Sequence, residues 1–394
     1  MNVLFVVDEF PFPPRNGVTL PVANFIELFN ERGHRVDLLL LNLPGSPTAG
    51  NGKLSRAVTA FGQVQLERTG RFRGLVQELT ARRALFESWS MKGQLSGDGL
   101  LTHYDLVWAS PIRPYALWLE LQYRLGIRAD KIMAAINDSY TLTLSELSKR
   151  KTIGLERLIY RARARAMRSI EKNRLMKADF IAVQSKREVE FFRELISGVE
   201  LPAVIEVKNG VASGLLKDRL RAEFDLLFVG SLEGFYRPTL DWFIREVYSK
   251  MPIPRPSFVV IGSGATEEDK RKFAELSITY LSFVDDIYRW YLVSKILVAP
   301  IFKGYGTINK VIEAMAAGCV VVGDRTAFNG LENFVPNRDG LVADLPGEFM
   351  DSILNVLADP CLAEEIGDNA RNLMRKDFSW DSRINFVLDR LKLS

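Results

Sequence analysis

A chain of 394 residues exceeds what one hydrophobic core usually serves, so two domains are expected. Its 47% hydrophobic and 25% charged residues exclude a disordered polypeptide, and no run approaches the roughly 18 to 20 apolar residues of a membrane-spanning helix. The net charge of +4 hides an asymmetry: residues 1–220 carry about 32 Lys and Arg against about 23 Asp and Glu, leaving roughly −5 for the remainder.

The opening MNVLFVVDEF has no basic leader and its apolar run breaks at Asp8, so it does not read as a signal peptide. Residues 3–7 are all apolar, the Pro- and Gly-bearing loop 9–17 follows, and residues 20–29 show helical periodicity up to Arg32-Gly33. Residues 36–41 are apolar again. Strand, loop, helix, strand is the reading, and strands buried on both faces mean a parallel sheet. Segment 45–100 fits this rhythm poorly and is expected on one or two helices near the ligand cleft. The runs 106–109, 132–136 and 180–183 continue the alternation. Between them, residues 149–177 hold the densest positive charge, with Arg157, Arg161, Arg163, Arg165 and Arg168 on one helix. That helix reads as a solvated face or as a contact with an anionic membrane surface; no aromatic residues interleave as nucleic-acid binding would ask.

From 209 to 223 the text turns polar, and an apolar run at 226–229 starts a second cycle with strands at 258–261, 297–299 and 319–322 and helices at 240–248, 286–293 and 310–317. The expected domains are 1–208 and 209–377, with a helix over 378–394 that packs back on the first. Two such sheets place their strand C-termini on a shared cleft, where ligands of doubly wound proteins bind. Cys319 and Cys361, the two thiols, can build neither a disulfide framework nor a metal cluster and suit a reducing cytoplasm.

Residues 303–318, KGYGTINKVIEAMAAG, place a Gly-rich turn after a buried strand and directly before a helix. Gly304 and Gly306 let the backbone approach a ligand, Thr307 adds a hydroxyl, and the helix start offers free N–H groups to an anion. Lys310 lies in the first helical turn, where a cation opposes the dipole unless an anion faces it. Glu313 shares its face and can accept both hydroxyls of a ribose; the bland alternative is a surface Lys/Glu pair at i, i+3.

The stretch GTINKVIEAMAAGCVVV resembles the donor-binding signature of the retaining glycosyltransferases of family 4, G-T-x-x-K-x-x-E-A-M-A-x-G-x-P-V-V. The resemblance implies a GT-B fold of two Rossmann-like domains facing each other across a deep cleft, residues 1–208 binding the acceptor and residues 209–377 a nucleoside-diphosphate sugar as donor. It implies that Lys310 binds the diphosphate and that Glu313 is the second glutamate of the E-x7-E motif. Tyr305 stands where the first glutamate is common, and Val320 replaces the proline of Pro-Val-Val. FVGSLEGFYRPTLDWF over 228–243 resembles the opening of the family's second domain and makes Arg237 the basic residue for the diphosphate. Residues 283–285 correspond to its base-binding stretch, with Ser282 where glycine is frequent, and DFSWDSR resembles its tail.

In the first half, PFPPRNGVT followed by RGHRVDLLLL resembles the family's first glycine loop, so Asn16 and Gly17 are expected beside the diphosphate, with Arg15 a weaker choice; a Pro-rich surface turn is the alternative. Ser110 and Arg113 fall at the C-terminal end of a strand where many relatives carry a functional histidine. Asp138, beside Ser139, is expected to orient the acceptor as a base-like carboxylate, unless it is a helix N-cap. His34 and His103 read as structural. The implied reaction is a retaining transfer in which Lys310, Arg237 and the 304–307 loop stabilise the leaving diphosphate. No metal is expected, since Asp285-Asp286 reads as a helix start. A saccharide or lipid-linked acceptor in bacterial surface polysaccharide synthesis is the commonest use of such enzymes. A sugar-nucleotide epimerase of the same architecture and a non-catalytic nucleotide-sugar-binding protein are the competing readings.

Overall fold

The computed structural model describes residues 1–14, 17–44, 56–68, 78, 80, 89–136, 139–150, 154–198, 202–216, 220–233, 236–302 and 307–391. Its contacts divide the chain into a unit of residues 1–208 and a unit of residues 209–394.

The first unit runs β1 (Asn2–Val7), α1 (Thr19–Glu31), β2 (Arg35–Asn42), β3 (Ala60–Arg68), β4 (Trp89–Ser96), β5 (His103–Ser110), α2 (Ile112–Leu125), β6 (Arg128–Ala135), α3 (Tyr140–Arg150), α4 (Gly154–Leu175), β7 (Phe180–Val183), α5 (Lys186–Leu195) and β8 (Ala203–Glu206). The strands form one sheet in the order β4-β3-β2-β1-β5-β6-β7-β8. β1 is apolar on both faces because helices cover both, and Phe5 stacks on Trp108 at 5.6 Å while meeting Phe29 of α1 edge-on at 6.0 Å. In α1, Val22, Phe25, Ile26 and Phe29 recur at helical spacing and are all buried.

The expectation of helices over 45–100 is corrected. Residues 60–68 and 89–96 are strands, β3 parallel to β2 and β4 antiparallel to β3 at the sheet edge. The segment AFGQVQLER buries Ala60, Gly62, Val64 and Leu66 on one face and exposes Gln65 and Glu67, a period of two that its polar residues and Gly62 obscure in the text.

The second unit runs β9 (Phe224–Val229), α6 (Arg237–Glu246), β10 (Phe258–Ile261), α7 (Glu267–Glu275), β11 (Ile278–Leu281), α8 (Ile287–Val293), β12 (Ser294–Ala299), α9 (Asn309–Ala316), β13 (Val320–Gly323), β14 (Leu341–Val342), α10 (Pro346–Ala358), α11 (Pro360–Asp377) and α12 (Trp380–Leu391). Its six strands are parallel and ordered β11-β10-β9-β12-β13-β14. Short apolar strands such as FVVI and VVVG are fully buried, as helices on both faces require. Within this unit Val211 pairs with Ser379, and the Trp380 ring lies so close to Gly210 that a Cβ there would meet it at 2.5 Å, which joins α12 to the segment that precedes β9. Asp286 caps α8 by accepting from the N–H groups of Tyr288 and Arg289, the helix start its sequence suggests.

Candidate functional site

A doubly wound sheet takes its ligand where neighbouring strands send their connections in opposite directions. In the second unit β9 passes to β10 on one side, and β12 on its other side passes to β13, so that point lies between β9 and β12. Lys310, second residue of α9, reaches across it. Its ammonium donates to the Val229 carbonyl at the end of β9 and lies 4.9 Å from the Phe228 ring centroid and 3.4 Å from that of Tyr236. Both rings turn toward a cation. Lys310 is 8% exposed, and burial brings its pKa down to about 7; no carboxylate among the described residues opposes that shift.

Close approach makes this geometry depend on Gly230, where a Cβ would stand 2.9 Å from the Tyr236 ring and 3.1 Å from the Lys310 Nζ. Beside it lies the start of α9. Its N-cap is Ile308, with no side-chain hydrogen bond, and the Thr307 hydroxyl is buried without a partner. Asn209 donates to the Asn309 side chain at 2.9 Å but leaves its own carboxamide oxygen buried and unpaired. An uncapped helix start with its positive dipole end, an orphaned hydroxyl and a buried cation form an anion site. Phe302, after β12, has φ at 54°, a left-handed conformation rare for an aromatic residue. Its ring is fixed edge-on against Trp242 at 4.7 Å.

Glu313, one turn after Lys310, is partly buried and accepts a hydrogen bond from the Tyr291 hydroxyl of α8. Burial raises its pKa to about 7, against the smaller opposing effect of that hydrogen bond. Tyr288, a turn earlier on α8, is raised to about 12 by burial and then by the Glu313 charge. Sequence reasoning missed Tyr236 and Tyr291. For Tyr291 a signal existed in the Tyr288/Tyr291 spacing on one face of α8.

Arg237 opens α6, and its guanidinium is engaged on three sides. It donates to Asp269 at 2.6 Å, to the Gly264 carbonyl at 2.6 Å and to the Leu232 carbonyl at 2.9 Å. It therefore braces the loops that follow β9 and β10. Gly264 sits at φ 89°, and a Cβ there would stand 2.8 Å from the Glu233 backbone nitrogen, so these loops lie backbone against backbone. Phe283, in the segment after β11, is 77% exposed.

Among the remaining expected residues, Asn16, Asp138, Gly304 and Gly306 lie outside the described residues, as does Arg15. Gly17 is exposed in the turn that leads into α1. Ser139 sits between two buried carboxylates: its N–H donates to Glu188 at 3.1 Å and its hydroxyl to Glu171 at 3.1 Å. Glu171 also accepts from the Tyr140 N–H and so caps α3 from a distance in sequence. His34 lies beside the N-terminal amine and the Phe29 ring, and burial lowers its pKa. His103 starts β5, at the end of the strand opposite to Ser110, and pairs with Asp130 at 2.9 Å.

Residues 223–359, within the second unit, match the model of the family described as Glycosyl transferases group 1. No curated protein matches the chain. Among solved structures, the chain is similar to sucrose-phosphate synthase from Thermosynechococcus elongatus, with 17% identity, a TM-score of 0.64, and coverage of 99% of this chain and 98% of that one. It is similar to HepE of Anabaena in complex with UDP, with 12% identity, a TM-score of 0.63 and full coverage of both chains. A variant of S. aureus TarM, in complex with fondaparinux, alpha-GlcNAc-glycerol and UDP, gives 10% identity and a TM-score of 0.63 over 99% of this chain and 100% of that one. These likenesses establish the fold: two α/β domains of GT-B type.

Proposed function

We propose that the chain is a retaining glycosyltransferase of family 4, which moves a sugar from a nucleoside-diphosphate sugar to an acceptor hydroxyl. The observation that carries this reading is Lys310, a buried ammonium at the ligand-taking edge of the second sheet whose neighbours are a carbonyl and two rings. A diphosphate supplies the anion that this environment lacks. The family match over the same unit supports it.

In this reading the bond between the sugar's anomeric carbon and the diphosphate breaks, and negative charge grows on the leaving diphosphate. Lys310, the N–H groups at the start of α9 and the Thr307 hydroxyl stabilise that charge, while Gly304 and Gly306 let the backbone come close. Glu313 accepts the ribose hydroxyls, and Arg237 acts through the loops it braces. The acceptor oxygen bonds to the anomeric carbon on the face the diphosphate leaves, and its proton passes to a diphosphate oxygen. The reading calls for no metal ion. UDP is present in the HepE and TarM structures, so UDP-sugars are the first donors to try.

The chain is further proposed to work in the cytoplasm on a saccharide or lipid-linked acceptor of a bacterial surface polysaccharide or glycoconjugate, in contact with an anionic membrane. No helix among the described residues is long and apolar enough to cross a membrane. Of the arginines on α4, Arg163 and Arg168 are paired to Glu78 and Glu194, whereas Arg157, Arg161 and Arg165 are exposed beside Leu158 and Ile159, themselves 61% and 46% exposed. Apolar side chains framed by guanidinium groups suit a headgroup layer, at about 1 kcal/mol per basic residue. Co-sedimentation with phosphatidylglycerol vesicles should be strong and should fall at least tenfold on replacing the three arginines by glutamine; equal sedimentation would reject the contact.

The function itself is tested by incubating the protein with UDP-, GDP-, dTDP- and ADP-sugars and following nucleotide release and the anomeric configuration of the product by NMR. Release from one donor class with retained configuration is expected. Failure of every donor to bind or react would overturn the reading.

A further inference from the structure

The first unit has its own ligand-taking point. β1 passes to β2 on one side and β5 to β6 on the other, which puts that point between β1 and β5. Asp8 is the first residue after β1, and Arg113 is the second residue of α2, which follows β5. Their side chains meet there, Arg113 Nη1 standing 3.1 Å from Asp8 Oδ2.

This pair is not a self-sufficient structural contact. Asp8 is 8% exposed, whereas the Arg113 side chain keeps 28%, and the Arg113 Nε is buried with no hydrogen-bond partner. Burial raises the Asp8 pKa to about 6, so the attraction of Arg113 does not repay the loss of hydration, and Glu9 adds a like charge. A buried ion pair that opposes folding in this way, located where the topology takes ligands, fits a binding role better than a structural one.

The chemistry of the pair selects its ligand. An anion would be repelled by Asp8 and Glu9, and a cation by Arg113. A neutral polyol satisfies both: one hydroxyl donates to the carboxylate, and a hydroxyl or ring oxygen accepts from the guanidinium.

We propose that Asp8 and Arg113 form the hydroxyl-gripping pair of the first unit and hold the carbohydrate acceptor of the reaction. The inference rests on the sugar-transfer reading and adds to it the residues that recognise the acceptor. The carboxylate of Asp8 accepts from a non-reacting hydroxyl of the acceptor, and Arg113 both orients that carboxylate and donates to the sugar. Asp8 and Arg113 are thus specificity-determining residues, while cleavage of the donor is left to the second unit.

The experiment compares the intact chain with its Asp8→Asn and Arg113→Lys variants, the second keeping the positive charge should the first perturb folding. Binding of methyl hexosides, sorbitol and glycerol is followed by ligand-observed NMR in the presence of nucleoside diphosphate. Acceptor-independent release of nucleotide from the sugar donor is measured in parallel. The expected result is polyol binding weakened at least tenfold in both variants, with donor hydrolysis and donor KM within twofold of the parent. Unchanged polyol binding in both variants, donor KM shifting together with polyol affinity, or no polyol binding to the parent chain would each overturn the proposal. A parent chain that neither binds nor cleaves any nucleotide sugar would instead remove the sugar-transfer reading, which keeps the two failures apart.

Discussion

Between the central strands of the second sheet a buried cation, Lys310, is held by a carbonyl and two aromatic faces; at the corresponding point of the first, a buried carboxylate, Asp8, is held by the partly exposed Arg113. Both sheets have the same doubly wound topology, so the difference comes from the side chains that the loops deliver. A lone cation in low dielectric awaits a charged ligand, because only an anion restores what burial removed. A mixed pair already balances its charge and is suited to a neutral ligand with many hydroxyls. The contrast assigns the charged and the uncharged partner of one reaction to different halves of the chain.

The largest expected effect breaks the cationic side of this contrast. Lys310→Ala should lower turnover at least tenfold, equivalent to about 1.4 kcal/mol or more of transition-state stabilisation. Its circular dichroism should match the parent, because a methyl group replaces an amine that burial disfavours. Unaltered kinetics would place the diphosphate elsewhere.

The next effect is a pH dependence set by two groups whose pKa values are moved to about 7 from opposite sides. An arriving diphosphate favours the ammonium form of Lys310, so above about pH 7 binding takes up a proton and affinity falls as pH rises. Ribose hydroxyls favour the carboxylate form of Glu313, so below about pH 7 binding releases a proton and affinity falls as pH drops. Calorimetric titration with UDP-glucose, which has no phosphate group titrating in this range, should show a maximum near pH 7 with proton exchange changing sign across it. In Glu313→Gln the acid limb should disappear. A flat profile would sink the assignment of both residues.

The smallest effect sharpens the picture around Glu313. Tyr291→Phe removes the hydroxyl that donates to this carboxylate, a bond worth about 0.5–1.5 kcal/mol. Affinity for the donor should fall by a factor of about 2 to 12, and the acid limb should move to higher pH, since the carboxylate loses a donor that favours its charged form. A stability loss with an unmoved acid limb would show Tyr291 to be a packing residue only.

Much of the proposed donor site was legible as a cluster because it is local. Thr307, Lys310 and Glu313 fall on one helical turn and its approach, and helical spacing alone brings them together. The same text could not show that Tyr236 closes over Lys310, nor that Arg237 is engaged with Asp269 and two carbonyls, because those partners arrive from separate loops after β9 and β10. Asp8 and Arg113 stand far apart along the chain, and the adjacency of β1 and β5 makes them neighbours. Strands β3 and β4 escaped for another reason: at and next to the sheet edge a strand needs only one apolar face, and polar residues elsewhere along it conceal that face.

Sequence by itself determined the two cycles of buried strand and amphipathic helix, and the helix that carries Lys310 and Glu313 one turn apart, since each is encoded within a few consecutive residues. Only the tertiary structure decided which charges are paired, which are stripped of water, and which polar atoms are left without a partner. Charge pairing and burial depend on groups that strand order gathers from distant segments, and a linear pattern does not contain that order.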